Sequence, residues 1–301
     1  MIFAAIDIGS NAARLLFANV FEIGDEVFVE KATLVRIPTR LGEDVYAGGI
    51  ISTEKAERLI TTLEGFKYLI KAYNPVGWEA CATAALREAS NGEAVLKQIK
   101  EKTGIEVRLI DGIEEAGIIR QTRKPGFVHQ GRLSVYIDVG GGSTDISVMD
   151  NNKILGVRSF RIGTLRILKD SVEPHEWDEM TTWLRSFNKV FEKTRPTLIG
   201  SGGNINKINK LYGNPATFEL SRKKLKEAYD YLSGMSLEKR IRRVGLRPDR
   251  ADVIVPAAAI FLKIMKTLDA KTILVPKIGL ADGLVYQLYM QHQGKGETGK
   301  L

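Results

Sequence analysis

The sequence predicts a mixed α/β protein built from two related domains, and three observations lead to this fold class. Apolar runs of strand length alternate with amphipathic helical stretches along most of the 301 residues. A turn made of an aspartate and small residues occurs twice, at residues 7–11 and 138–144, each time after an apolar strand. Residues 123–132 contain a proline and two glycines without any period, as in a linker. We therefore expect domains at residues 1–124 and 125–301, with a flexible tail from about residue 294.

The first half of the chain begins with three apolar segments of strand length, and helical and strand patterns then alternate. A helix that begins near Ser52 carries apolar residues at helical spacing on one face, from Ala56 to Tyr73. The predicted strands are residues 2–8, 13–21, 27–37, 78–82 and 107–110, and further helices begin near residues 91 and 113.

The second half repeats the strand–turn–strand signal and then becomes mainly helical. A strand that begins at Leu198 runs through glycines into a helix near Asn206, whose free N–H groups suit an anion. The other predicted strands are residues 133–139, 144–149 and 154–160, and long helices are expected at 174–193 and 249–268, the second of them buried.

Composition excludes several classes of protein. No apolar run approaches the roughly 20 residues of a membrane span, and the N-terminus lacks the basic residues of a signal peptide. The single cysteine, Cys81, cannot form an intrachain disulfide, which predicts a cytoplasmic protein. Three scattered histidines cannot build a zinc site with it, so any metal is expected to have oxygen ligands. The net charge of +8 suits a polyanionic ligand, although no basic tract interleaved with aromatics predicts specific nucleic-acid binding.

The two repeated turns carry the clearest chemical signal. In each, an aspartate at the end of a strand, Asp7 or Asp138, can hold Mg²⁺ directly or through water. The small residues that follow let backbone N–H groups approach phosphate oxygens closely. Facing each other, the two domains would enclose a cleft with one such hairpin on each side. The expected phosphate-binding residues are Ser10, Asn11, Gly140, Gly141, Gly142, Ser143 and Thr144.

Other candidate residues stay open on physical grounds. Arg14 and Arg87 have guanidinium groups suited to phosphate, but most arginines in such a basic chain are solvated surface groups. Hydrolysis needs a carboxylate to orient or deprotonate water, and Glu114 and Glu115 are available at a predicted helix start. Acidic residues are also favoured there by the helix dipole, which explains both without catalysis.

The motifs resemble, in order and over nearly the whole chain, those of the exopolyphosphatase/guanosine pentaphosphate phosphohydrolase (Ppx/GppA) family. This family belongs to the actin-like ATPase superfamily, so the resemblance implies two actin-like (ribonuclease H-like) domains related by internal duplication. The segments that carry the resemblance are residues 7–15, 40–42, 82–91, 111–116, 138–145, 161–166, 200–204, 245–254 and 279–283.

The resemblance also assigns roles that the residues alone leave open. It implies that Glu115 is the catalytic carboxylate that handles water, and that Arg14 and Arg87 clamp phosphate. It places Asp7, Asp138 and Asp145 at a Mg²⁺ or Mn²⁺ ion. The family usually has glutamate at the position of Asp145, so the carboxylate here is one methylene shorter.

The resemblance implies an exopolyphosphatase that releases terminal orthophosphate from inorganic polyphosphate. Hydrolysis of pppGpp or of short-chain polyphosphate is an alternative, because these substrates present the same terminal anhydride. A weakly catalytic sensor of polyphosphate or ppGpp is another, and an actin-like sugar kinase lacks a sugar-binding signature. No membrane partner and no specific nucleic acid are expected, and a homodimer is left open.

Overall fold

The structure is a computed structural model that describes residues 1–24, 26–122, 133–151, 153–214 and 216–294. The chain divides into two compact units, one within Met1–Val128 together with Ile278–Leu301 and one within His129–Lys277. The predicted linker and the predicted tail beyond residue 294 lie outside the described residues, and so does the boundary predicted between residues 124 and 125. No helix in these ranges combines the length and the hydropathy of a membrane span.

The first unit contains a five-stranded mixed sheet. Its first strand is buried from Phe3 to Ile8, because it lies in the middle of the sheet with strands on both sides. The first three strands pair antiparallel, whereas the first, fourth and fifth run parallel. The strands, in the order β3-β2-β1-β4-β5, are β1 (Ile2–Ile8), β2 (Ala13–Ile23), β3 (Glu26–Ile37), β4 (Gly77–Ala82) and β5 (Arg108–Leu109).

Within the first 122 residues, five helices connect or flank these strands. The longest begins after Ser52, whose hydroxyl accepts a hydrogen bond from the Lys55 amide, and ends at Asn74 in the left-handed conformation. Its apolar face includes Leu59, Leu63 and Phe66, as the spacing predicts. The helices are α1 (Leu41–Gly48), α2 (Thr53–Tyr73), α3 (Ala84–Glu88), α4 (Gly92–Thr103) and α5 (Gly112–Gln121).

The second unit contains a six-stranded mixed sheet of the order β10-β11-β9-β6-β7-β8. Its strands are β6 (Ser134–Val139), β7 (Thr144–Asp150), β8 (Lys153–Phe160), β9 (Thr197–Ser201), β10 (Glu219–Ser221) and β11 (Thr272–Leu274). Its helices are α6 (Thr164–Leu168), α7 (Pro174–Arg185), α8 (Asn188–Lys193), α9 (Gly203–Tyr212), α10 (Arg222–Ser233), α11 (Leu237–Val244), α12 (Pro248–Ala251) and α13 (Ile254–Thr267).

The two sheets repeat one topology. In each, three consecutive antiparallel strands (β1-β2-β3 and β6-β7-β8) are followed by strands parallel to the first (β4 and β5, and β9 and β11). The pairing register is also the same, since Ala13 lies opposite Ile37 and Thr144 lies opposite Phe160 at equivalent points. The duplication expected from the two turns therefore extends through both sheets, and both units have the actin-like topology.

The last helix corrects the predicted extent of the second domain. Helix α14 (Leu280–His292) belongs to the first unit, although residues 125–301 were expected to form the second. Its apolar residues Leu284, Val285 and Tyr289 are buried in the core that also contains Phe3 and Ile118. This packing partner lies far away in the sequence, so local patterns did not indicate it.

Three predicted helix bounds differ from the structure. The helix expected at 174–193 is divided into α7 and α8, where the Ser186 hydroxyl donates to the Trp183 carbonyl. The helix expected at 249–268 is divided into α12 and α13, but α13 is buried as predicted. Helix α9 begins at Gly203, three residues before the expected start.

Candidate functional site

The register of the first sheet brings the predicted residues of the first unit to one edge. Strands β1, β4 and β5 run parallel, so their carboxyl ends meet at the same edge of the sheet, where α/β proteins bind their ligands. The Thr83 amide donates to the Ile8 carbonyl (3.2 Å), and the Ile110 amide to the Ala82 carbonyl (3.0 Å). The first hairpin, the helix of Arg87 and the helix of Glu115 therefore begin side by side.

The first hairpin is closed by a hydrogen bond of 3.1 Å from the Gly9 amide to the Ala12 carbonyl. Asp7 lies directly opposite Arg14 on the neighbouring strand, and the two side chains form an ion pair. The buried Ser10 hydroxyl shares a hydrogen bond of 2.7 Å with the hydroxyl of Tyr46. In this hairpin the aspartate is therefore matched by a cation, and the serine is oriented by helix α1.

Residues just before and within α1 support this hairpin. The amides of Arg40 and Gly42 donate to the carbonyls of Asn11 (3.1 Å) and Ser10 (2.9 Å). Helix α1 is in turn tied to α2, because Lys55 Nζ lies 3.0 Å from a carboxylate oxygen of Glu43. Burial acts to raise the pKa of Glu43, but hydrogen bonds from Lys55 and Arg40 hold it below its usual value.

Arg87 supports the loop that leads to Glu115. Its guanidinium donates a hydrogen bond of 2.6 Å to the carbonyl of Ile110, directly before Asp111. The Asp111 side chain caps helix α5 by accepting from the Glu114 amide at 2.8 Å. Arg87 and Glu115 are thus connected through one short segment of backbone.

The structure distinguishes the two neighbouring glutamates. Glu114 is exposed and forms an ion pair with Arg108, which also binds Glu79 at 2.7 Å. Glu115 is half-buried, and its amide donates to the Asp111 carbonyl in the first turn of α5. Glu114 therefore has a structural role on the surface, which leaves Glu115 as the candidate for water activation.

The second hairpin repeats the first in its backbone. The Gly140 amide donates to the Ser143 carbonyl at 2.9 Å, as Gly9 does to Ala12. Carbonyl groups of the glycines accept from the start of α6: Gly140 from the Thr164 amide (3.1 Å) and Gly141 from the Leu165 amide (2.9 Å).

These contacts leave the amides of the hairpin available. Within the described part of the chain, the amides of Gly141, Gly142 and Ser143 donate to no backbone carbonyl. Successive free N–H groups in a tight turn form a concave site for an anion. The second hairpin therefore has the backbone chemistry of a phosphate site.

Side chains hold this turn in place. The buried guanidinium of Arg166 donates from Nε to the Gly142 carbonyl at 2.7 Å. A Cβ atom on Gly163 would overlap the backbone of Gly141 and Gly142, so only glycine fits there. The Thr144 hydroxyl donates to the Ile162 carbonyl at 2.6 Å, so its side chain fixes the segment between β8 and α6.

Asp138 and Asp145 lie directly opposite each other on β6 and β7. Side chains of such a pair leave the same face of the sheet with Cβ atoms about 4.5–5.5 Å apart, and two like charges there are unfavourable. The Ser143 hydroxyl donates to Asp145 Oδ2 at 3.1 Å and so orients one of the carboxylates. Two adjacent carboxylates of this kind are suited to a cation.

The donor set fits a hard divalent ion. No group of three or more histidine, cysteine, aspartate or glutamate side chains that could hold a metal occurs among the described residues. Mg²⁺ is commonly bound by one or two carboxylates together with phosphates of the substrate. Asp138 and Asp145 can provide the two carboxylates. Asp7, the third predicted ligand, is paired with Arg14 and lies in the other unit.

A further element lies beside the second hairpin. Strand β9 runs parallel to β6, with Ser201 opposite Asp138. Gly202 has φ +110°, and a Cβ atom there would lie 2.9 Å from the Val139 carbonyl oxygen and 3.5 Å from Asp138 Oδ1. The Arg250 guanidinium lies against Gly203 at the start of α9, 3.1 Å from where a Cβ would be.

Sequence reasoning assigned no role to Tyr46, Gly163, Arg166 or Arg250. The two units can be aligned beyond their third strands, which pairs residues 39–42 with residues 162–165. Amides in both segments donate hydrogen bonds to carbonyls of the hairpin in their own unit. That alignment was the available signal for Gly163. The contacts of Tyr46 and Arg250 join distant parts of the chain and have no local signature.

Comparisons with known proteins agree with this geometry. The model of the Ppx/GppA phosphatase family matches residues 27–292. A protein named exopolyphosphatase 1 from Mycobacterium leprae is 24% identical over 300 residues, covering 93% of this chain and 87% of its own. Exopolyphosphatase 2 from Mycobacterium tuberculosis is 26% identical over 315 residues, covering 95% of this chain and 98% of its own.

Solved structures show the same fold. The chain resembles an exopolyphosphatase from Cytophaga hutchinsonii with a TM-score of 0.81, 24% identity and coverage of 98% of each chain. A Ppx/GppA family member from Aquifex aeolicus gives a TM-score of 0.71 at 24% identity, with coverage of 97% of this chain and 98% of its own. The family model, which spans most of the chain, and the two repeated hairpins lead to one conclusion: this chain belongs to the Ppx/GppA phosphatase family.

Proposed function

We propose that this protein is an exopolyphosphatase, which hydrolyses the terminal phosphoanhydride bond of inorganic polyphosphate and releases orthophosphate. The observation that carries the proposal is the second hairpin, where three available amides lie next to the opposed carboxylates of Asp138 and Asp145. Family membership supplies the reaction class, and the relatives named exopolyphosphatases support polyphosphate as the substrate.

The backbone of the second hairpin would bind the terminal phosphate. The amides of Gly141, Gly142 and Ser143 donate to its oxygens, and Arg166 and Gly163 keep the turn in the required conformation. Because these donors are fixed before the substrate arrives, charge that develops on phosphate oxygens in the transition state is stabilised without reorganisation.

Asp138 and Asp145 would hold Mg²⁺ or Mn²⁺ against this phosphate, and such an ion neutralises charge on the phosphate oxygens. Asp145 is buried, and the hydrogen bond that it accepts from the Ser143 hydroxyl orients its carboxylate. Asp7 stays a predicted ligand, which would act through water while its ion pair with Arg14 persists.

Glu115 is proposed to orient the attacking water and to accept its proton. As the new P–O bond forms, the bond from the terminal phosphorus to the bridging oxygen breaks, and that oxygen keeps the electron pair. The products are orthophosphate and a chain shortened by one phosphate. Arg14 and Arg87 are proposed to donate hydrogen bonds to phosphate oxygens. Each guanidinium must then bind phosphate in addition to its present partner, which is Asp7 for Arg14 and the Ile110 carbonyl for Arg87.

We also propose that the protein acts in the cytoplasm. Cys81 is a fully buried, free thiol on β4, and burial raises its pKa, so that it stays protonated and unreactive. A lone inert cysteine is what a reducing compartment favours.

The direct test is phosphate release from polyphosphates of graded length, with pppGpp and ATP assayed in parallel. We expect release from polyphosphate with Mg²⁺ or Mn²⁺ and its loss in excess EDTA. Faster release from pppGpp than from any polyphosphate would assign the protein to the nucleotide substrate instead. Tight binding without release from any substrate, with either metal, would identify a sensor.

A further inference from the structure

Half of the excess positive charge of the chain lies in one short segment. Residues 236–247 contain five arginines and lysines and a single carboxylate, Glu238, which amounts to a net charge of +4 out of +8 for the protein. The segment comprises helix α11 and the residues that link it to α12. Such a concentration of charge requires an explanation.

Three of these cations are exposed and available. Lys239, Arg243 and Arg247 are exposed, and none of them forms an ion pair with a carboxylate in the described part of the chain. Arg242 instead pairs with Glu238 at 3.1 Å. Arg240 donates to the carbonyls of Leu232 (2.8 Å) and Ala251 (2.9 Å), so it fixes α11 onto its neighbours.

Helix stability does not account for these three cations together. The dipole favours cations in the last turn of a helix, where Arg243 lies, but disfavours them in the first turn, where Lys239 lies. Arg247 lies directly before the N-terminus of α12, where the helix dipole also disfavours a cation. Packing also offers no reason, because Ile241 and Val244 form the side of α11 that contacts the core.

The same surface is connected to the second hairpin by short distances along the chain. Arg250 lies against Gly203, which follows the glycine that contacts Asp138. Arg247 is three residues from Arg250, so their Cα atoms are at most about 11 Å apart. Arg243 is four residues from Arg247, so its Cα atom is at most about 14 Å from that of Arg247. Arg243 and Arg247 thus lie on the same unit as the start of α9 and close along the chain to Arg250. Lys239 lies one turn before Arg243 on α11.

We infer that Lys239, Arg243 and Arg247 form a basic surface that binds the part of a long polyphosphate chain lying beyond its terminal phosphates. This inference rests on the proposed function and adds to it a preference for long chains. Exposed ammonium and guanidinium groups match a flexible polyanion, which needs charge along its length rather than a shaped pocket.

The test compares two full-length triple variants. One carries Lys239→Gln, Arg243→Gln and Arg247→Gln. The matched control carries Arg58→Gln, Lys71→Gln and Lys102→Gln, which removes the same charge from exposed positions in the first unit. Binding of fluorescently labelled long-chain polyphosphate is measured in EDTA by anisotropy over a range of salt concentrations, so that affinity is read without turnover.

We expect the basic-surface variant to bind long chains at least about tenfold more weakly at low salt, with a slope of log Kd against log salt reduced by about 2. The control should stay within about twofold of the unmodified protein, because scattered surface charges contribute little. With Mg²⁺, kcat/KM for tripolyphosphate should be the same in all three proteins, while KM for long chains should rise only in the basic-surface variant.

Three results would overturn the inference: equal affinity of the two variants for long chains, an equal loss of tripolyphosphate hydrolysis and long-chain binding, or single-stranded RNA binding as tightly as polyphosphate with the same dependence on the three cations. The last result would identify a nucleic-acid surface. The two proposals are tested separately. Absence of polyphosphate hydrolysis would refute the proposed function, whereas the binding assay in EDTA, which needs no turnover, decides whether the basic surface binds long chains.

Discussion

At the scale of single residues, the two hairpins differ at one equivalent position. Asp7 and Asp138 correspond in the repeat, and each has a directly opposed residue on the next strand. That residue is Arg14 in the first unit and Asp145 in the second. One hairpin therefore places an aspartate opposite an arginine, whereas the other places two carboxylates opposite each other, an arrangement that is unfavourable for like charges.

The assignment of Glu115 leads to the most direct prediction. Glu115→Gln keeps the size of the side chain and removes the charge that accepts a proton. Turnover of polyphosphate should fall by about 10²–10⁴-fold, the usual contribution of general-base catalysis. Binding of polyphosphate should be retained, because the hairpins are unchanged. Steady-state kinetics and a binding titration check both parts.

Glu114→Gln is the control for this prediction. Its ion pair with Arg108 is exposed, so its loss should change stability and turnover little. Comparable turnover of the two variants would contradict the assignment of Glu115 to water activation.

Asp145 provides a second prediction at this scale. Asp145→Asn keeps an oxygen that can accept from the Ser143 hydroxyl but removes the negative charge. The Mg²⁺ concentration for half-maximal activity should rise by at least about tenfold. Tenfold is the lower end of the loss of metal affinity that follows when residues around a metal site are changed. Asp150→Asn, at the exposed end of the same strand, should leave this concentration unchanged. An unaltered metal requirement in Asp145→Asn would exclude it as a ligand.

At the scale of elements, the position of α5 depends on α14. Gly283 lies so close to the Ile118 carbonyl that a Cβ atom would overlap it. Helix α5 carries Glu115 at its start and Ile118 one turn later, so the close approach of the two backbones sets where the carboxylate lies. Under the role proposed for Glu115, this contact helps to position the catalytic carboxylate.

Gly283→Ala tests this dependence. The added methyl group must displace α5, which should destabilise the protein by about 1–3 kcal/mol. Because a shift of about 1 Å in a catalytic group can cost about 10²-fold in rate, kcat should fall more than the loss of stability explains. Thermal unfolding and kcat are measured on the same preparation.

Gly117→Ala is the matched control on the same helix. A Cβ atom there meets no atom within 4 Å, so alanine should stabilise α5 by about 0.5–1 kcal/mol and leave kcat unchanged. Normal turnover in Gly283→Ala would show that α14 supports the fold of the unit without positioning Glu115.

The sequence predicted those elements whose signal is local. Six strands of the two hairpin regions were located to within two residues, because apolar runs and small-residue turns mark both ends. The opposed pair of Asp138 and Asp145 follows from the same pattern once the turn length is known. Helix α14 was assigned to the wrong unit, because its contact with α5 joins residues more than 150 positions apart. The contacts of Ser10 with Tyr46 and of Gly203 with Arg250 were also not predictable from local patterns, because they join residues 36 and 47 positions apart.

At the scale of the whole molecule, the two units differ in how the chain forms them. The second unit is one continuous stretch, but the first is completed by residues 278–294. Of the fifteen described residues in one core of the first unit, six come from this last stretch: Ile278, Leu280, Ala281, Leu284, Val285 and Tyr289. The first unit therefore lacks a large part of this core without α14.

A chain that ends after Lys277 tests this dependence. We expect amide hydrogens of β1 and β2 to exchange rapidly in this variant, because about two fifths of that core would be missing. Amides of β6 and β7 should stay protected, since the core of their own unit is complete. Hydrogen exchange followed by mass spectrometry separates the two regions. A chain that ends after Gly294 is the control, and protected β1 amides in the shorter chain would refute the expectation.

The interrupted first unit also has a consequence for the order in which a growing chain can fold. Proteins commonly complete their N-terminal domain first during synthesis. Here the second unit is the first whose residues have all been made, while β1 to α5 must wait for α14 to emerge from the ribosome. Glu115 lies on the helix against which α14 packs, so we expect it to reach its final position only after α14 has left the ribosome. Ribosome-bound fragments that lack α14 should therefore release no phosphate from polyphosphate.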